Sequence, residues 1–205
     1  MKKMYKFALL PLCVLALTSC ASNGGLNHDE MVEYFKNNFS SETILSTYKS
    51  VTYNRVSTVK NEYASEIENS DVALEYLKEE YETPSSESEV TLASSNLDSF
   101  FLSETFIDKF EEVYSSDDIK PTYTISKKKI EGVVTYSKSL SSDVLSGLGV
   151  RDSALAAEVK VTAEPDGRIT KVDGSMAANV DIDGDGNADV KFALTVNVSF
   201  TWNAK

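Results

Sequence analysis

The most chemically specific residues of this 205-residue chain lie at 181–189, Asp-Ile-Asp-Gly-Asp-Gly-Asn-Ala-Asp. Asp181, Asp183 and Asp185 alternate, Gly186 and Asn187 follow, and Asp189 closes the run. Alternating carboxylates on a tight turn let a short loop gather oxygens around a hard cation. Calcium takes about six to eight of them, and glycine allows the sharp turn. The Asn187 backbone carbonyl is a further candidate ligand. The loop offers neither imidazole nor thiolate, so zinc and copper suit it poorly. The alternative is a bare hairpin connection in which Asp, Asn and Gly supply turn conformations and solubility. Four carboxylates crowded together without a cation repel, which favours calcium.

This spacing resembles the calcium loops of EF-hands and other Asp-x-Asp-Gly-Asp-Gly modules, with Asp181, Asp183, Asp185, Asn187 and Asp189 at positions 1, 3, 5, 7 and 9. Two departures matter. Position 12, usually a bidentate Glu, is Phe192, and both flanks have the pattern of strands rather than helices. The resemblance therefore implies a rigid structural calcium site of modest affinity, about 10⁻⁴–10⁻³ M as in extracellular modules, and not a calcium sensor.

Other chemistry has little material. The only histidine is His28, at the end of the tether where no rigid catalytic role is expected, so histidine-dependent triads and His-rich metal sites lack material. Serines are abundant, but no Gly-x-Ser-x-Gly or Ser-x-x-Lys pattern occurs, and no phosphate-binding glycine loop. Paired carboxylates are possible among 32 acids, and a carboxylate-dependent hydrolase is the third functional reading. The expectation is a non-enzyme with no catalytic residues.

The first twenty residues carry a different chemistry. Lys2, Lys3 and Lys6 precede an apolar run at 7–17 that is too short to span a bilayer as a helix. The run ends Leu17-Thr18-Ser19-Cys20, which resembles the lipobox of bacterial lipoproteins. That resemblance implies a signal peptide at 1–19, cut before Cys20. The Cys20 thiol would then carry a diacyl lipid, with acyl chains such as palmitate. The alternative is an ordinary cleaved signal. With a lipidated Cys20, the chain is anchored to the cell membrane or outer membrane on the extracytoplasmic side. Cys13 leaves with the signal, so no disulfide is available. Removing three lysines leaves 20 − 3 = 17 bases against 32 acids, a net charge of −15. This acidity argues against nucleic acid and against electrostatic docking on anionic lipid. Lys127-Lys128-Lys129 is the one basic run. It suits an anionic ligand, a lipid headgroup or, more commonly, a solvated strand edge.

These residues need elements to hold them. Residues 20–27 are a flexible tether and 28–205 a single domain. Helices are predicted at 29–37, 72–81 (capped by Ser70-Asp71) and 103–114 from apolar spacings of three and four. Residues 40–63 are ambiguous between helix and strand, and 83–99 has the composition of a loop. Alternation predicts strands around Tyr123–Ile125, 130–136, 155–163, 168–181 and 190–202, with a break at the three lysines. From Val190 to Trp202 the even positions are apolar and the odd ones mostly polar. Strands of twelve or more residues with one apolar face must curl around something, and the helices supply it. The fold class is therefore α+β, a long, curved antiparallel sheet against N-terminal helices.

Helices beside a long-stranded curved meander on a lipid tether resemble the LolA/LppX type of half-barrel lipoprotein. The resemblance implies a cell-surface, lipid-binding carrier whose hydrophobic ligand sits between sheet and helices. The alternative is a surface interaction module with a filled core and a calcium-stiffened hairpin. Ligand, partner and oligomeric state have no signature in the sequence.

Overall fold

The computed structural model describes residues 25–115, 119–140 and 142–205. The signal peptide expected at 1–19, Cys20 and most of the tether expected at 20–27 lie outside the described residues. The described residues form an α+β fold: five α-helices beside one seven-stranded antiparallel sheet.

The sheet order is β2-β1-β7-β6-β5-β4-β3. Its strands are β1 (Tyr48–Tyr63), β2 (Ser86–Thr91), β3 (Thr122–Ile125), β4 (Ile130–Ser139), β5 (Asp152–Ala163), β6 (Ile169–Asp181) and β7 (Val190–Ala204). β3 to β7 form the expected meander, now with five strands. The ambiguous stretch at 40–63 splits into a short helix, α2 (Ser41–Thr47), and β1, which pairs with β7 from Tyr63↔Val190 to Tyr48↔Ala204. The expected loop at 83–99 is a correction: β2 lies within it, on the outer edge of β1. Its Ser-Glu-Ser-Glu alternation is that of an edge strand, where charge discourages further pairing. The phase change at the lysines is a tight turn. The Ser126 N–H donates to the Lys129 carbonyl (2.8 Å), and Ile125 pairs with Ile130.

Helix α1 (His28–Asn38) is opened by a reciprocal cap: the Asn27 side chain accepts from the Glu30 N–H (3.0 Å), and Glu30 Oε2 from the Asn27 N–H (2.9 Å). Helix α3 (Ser70–Tyr81) corrects the expected Ser70-Asp71 cap. Its N-cap is Asn69, in the left-handed region (φ 68°), while the Ser70 hydroxyl donates to the Ala64 carbonyl (2.6 Å). Helix α4 (Glu104–Tyr114) is capped by Ser103, and the fifth helix, α5 (Asp143–Gly147), by Ser142.

Two cores lie on the same face of the sheet, one at each end. At the first end α3 places Ala73, Leu74 and Leu77 on Val190, Phe192, Leu194, Ala178, Val180 and Leu155. At the second, α1 and α4 with Phe101 and Leu102 cover Tyr123, Ile130, Val161, Ala163 and Ile169. Each fully buried side chain of this kind contributes about 1.5–3 kcal/mol, so each helix group is held by several such terms. The other face of β7 (Lys191, Thr195, Asn197, Ser199, Thr201) is largely exposed.

Candidate functional site

Between the two cores the inner face of the sheet is only partly covered. Val196 and Val198 of β7, Met176 of β6 and Val159 of β5 are half-buried there. In this band β6 places Gly174 between Val196 and Val159. A Cβ built on Gly174 would touch only Val196, at 3.9 Å. Glycine inside a strand weakens it, and it recurs where something else must approach the backbone. Here it leaves room at the centre of an apolar floor.

Tyrosines stand around this floor. Tyr76 and Tyr81 come from α3, Tyr114 from the end of α4 and Tyr136 from β4, all half-buried. Burial raises the Tyr81 phenol above its usual pKa, and Tyr76, Glu80 and Tyr136 add to the effect. Burial likewise raises Tyr114, with Tyr136 again contributing. β4 lies four places from β1 in the sheet order, yet Tyr136 is close enough to influence a helix that rests on β7 and β1. Tyr136 packs against the same core cluster as Tyr76 and Tyr81 of α3. Aliphatic floor and phenolic rim together offer apolar contact with hydroxyls at the margin, the usual composition of a ligand cleft.

The acidic loop lies at the first end, between β6 and β7. Gly184 (φ 83°) and Gly186 (φ 89°) take the left-handed conformation that the turn requires. Asp181 accepts from the Gly184 N–H (2.6 Å) and the Gly186 N–H (2.9 Å), and Asp183 from the Asp185 N–H (3.0 Å). Asp189 Oδ2 accepts from the Ile182 N–H (2.8 Å). Asp181, Asp183 and Asp189 bring one oxygen each to within 4.8 Å of one another. Asp185 is engaged differently, accepting from the Asn187 side chain (2.9 Å) and backbone (2.7 Å), and these bonds lower its pKa. Three convergent carboxylates suit a divalent cation in part. They fall short of the six to eight oxygens calcium takes, and Phe192, at position 12, is sealed in the core.

Sequence analysis expected a hydrophobic ligand between sheet and helices but did not single out the residues of this half-covered band. Tyr76, Tyr81, Tyr114 and Tyr136 are far apart in the chain, and the one available signal was Gly174 interrupting an apolar alternation. His28 is clasped by Asp108 (Nε2 to Oδ1, 3.2 Å) and Glu111 of α4, joining the start of α1 to that helix. Comparison with protein-family models, with curated proteins and with solved structures returns no match.

Proposed function

We propose that this chain is an extracytoplasmic lipoprotein, anchored through Cys20, that binds a hydrophobic, lipid-like ligand without catalysing a reaction. The observation that carries this reading is the half-open band of Val159, Gly174, Met176, Val196 and Val198 between two filled cores. An acyl chain lying along this floor would bury apolar surface at about 25 cal/mol per Å², with the phenols of Tyr81, Tyr114 and Tyr136 meeting its polar end. Titration of the mature chain with a fluorescent fatty acid tests it. Saturable binding is expected, weakened about tenfold or more by Gly174→Phe, which fills the floor, with the melting temperature retained. Binding indifferent to Gly174→Phe would overturn the cleft.

The second reading is a surface interaction module. It is favoured by the filling of both ends of the half-barrel by helices, and absence of fatty-acid binding would select it. In either case calcium at Asp181, Asp183 and Asp189 is proposed as structural. The expected result is a melting temperature that rises with millimolar calcium and loses that response in Asp181→Asn/Asp183→Asn. An unchanged melt would leave the loop as a turn held by its own hydrogen bonds.

A further inference from the structure

The chain enters the described fold at one particular end of the sheet. Leu26 forms a two-hydrogen-bond bridge with Tyr123, two residues before the end of β3. β3 then leads directly into the turn bearing Lys127, Lys128 and Lys129, all exposed. The acidic loop lies at the opposite end: β6 runs thirteen residues from Ile169 to Asp181, a length of about 40 Å at ~3.3 Å per residue. From Cys20 to Leu26 is 26 − 20 = 6 residues, which span at most about 20 Å.

Charge is divided along the same axis. The far end carries Asp181, Asp183, Asp185 and Asp189, flanked by Glu66 and Glu68 in the connection that bonds to Asp189 through Ala64, with Arg151 beside Gly184 and Lys191 as its cations. At the near end Lys129 (2.9 Å) and Lys160 (2.7 Å) share Glu131, and Arg168 pairs with Asp166 (2.8 Å). Lys127 and Lys128 form no ion pair with a described residue. Glu164 is the remaining acid of the neighbouring β5–β6 turn.

We propose that the Lys127–Lys129 turn docks on the anionic headgroups of the membrane that holds the anchor, standing the domain upright with the acidic loop pointing away. This rests on the Cys20 anchor proposed above. The tether is short enough to keep the basic turn within reach of the bilayer, and an anionic surface repels the far pole. A net charge of −15 does not prevent this, because surface attraction is decided within a Debye length, about 8–10 Å, where only the near end lies.

The test uses the single thiol of the mature chain. Cys20 is coupled to a maleimide lipid in nanodiscs of phosphatidylcholine alone, or with about a third phosphatidylglycerol to supply anionic charge. Lysine acetylation is then mapped by mass spectrometry. Lys127 and Lys128 should react about fivefold more slowly in the anionic discs, and high salt should restore the rate. Lys191, at the far end, should not change. Equal reactivity in the two lipids, or protection of Lys191 instead, would overturn the proposal. In Lys127→Gln/Lys128→Gln the lipid dependence at Lys129 should vanish, and its persistence would also count against it. The coupled lipid supplies attachment, so the result reports docking alone. Acylation of the native Cys20 is read separately from its intact mass.

Discussion

Tyr123 occupies the space that a side chain at its strand partner would need. A Cβ on Gly132 would lie 2.6 Å from the Tyr123 ring, so the glycine is set by a neighbour and not by its own backbone angle. Gly132→Val should destabilise the domain by about 2–3 kcal/mol in chemical denaturation, since the strand cannot move without breaking its pairing. The Tyr123 hydroxyl is buried with no hydrogen-bond partner among the described residues, and burial holds its pKa far above the usual phenol value. Tyr123→Phe should therefore be neutral, or stabilising by up to about 1 kcal/mol. Glu131 behaves oppositely: hydrogen bonds from Lys160 and then Lys129 lower its pKa. A lowered carboxylate stabilises above its unfolded pKa, about 4.3, and loses that contribution as pH falls through the folded value. Glu131→Gln should cost less than about 1 kcal/mol at pH 7, and the difference should disappear near pH 3. At this scale the sequence was informative about types and poor about company. The Asp181–Asp189 spacing was legible, but the turning of Asp185 toward Asn187 depends on local hydrogen bonds that spacing does not encode.

The β5–β6 turn shows how connections lock elements together. Gly167 is left-handed (φ 90°), and a Cβ there would lie 2.5 Å from Phe101 and 2.9 Å from Phe35. Its carbonyl accepts from the Leu102 N–H (2.8 Å), and the Phe100 carbonyl accepts from the Ile169 N–H (3.0 Å). Backbone strain and overpacking then act together, so Gly167→Ala should cost about 2–4 kcal/mol, read as a lower denaturation midpoint. Helices α1, α3 and α4 were legible because their apolar spacings, such as Leu74 and Leu77, are strong. β2 was hidden, because an edge strand buries too little to need hydrophobic alternation. β1 was obscured because Arg55 and Ser57 lie on its inner face, opposite Val198 and Val196, while Val56 lies on the exposed one.

Across the whole molecule, acidity is the dominant electrostatic fact. A compact chain at −12 repels itself, so added sodium chloride should raise the melting temperature between about 0.05 and 0.5 M, as screening lengths contract. A fall would indicate that attractive pairs such as Glu131–Lys160 outweigh repulsion. The curved sheet on helices was legible from strand length and one-sided apolarity. The residues of the half-covered band were not, because it lies where two helix groups stop rather than in any motif. The partnership of β1 with β7 has a temporal consequence. Its paired residues are separated by 190 − 63 = 127 to 204 − 48 = 156 positions. Closing so distant a pairing is slow, and β7 is also the strand that joins β1 to the rest of the sheet. Until residue 204 has been synthesised and delivered, β1 and β2 have no sheet to join. The first strand of the sheet is thus among the last to find its place, and the order of folding runs against the order of synthesis.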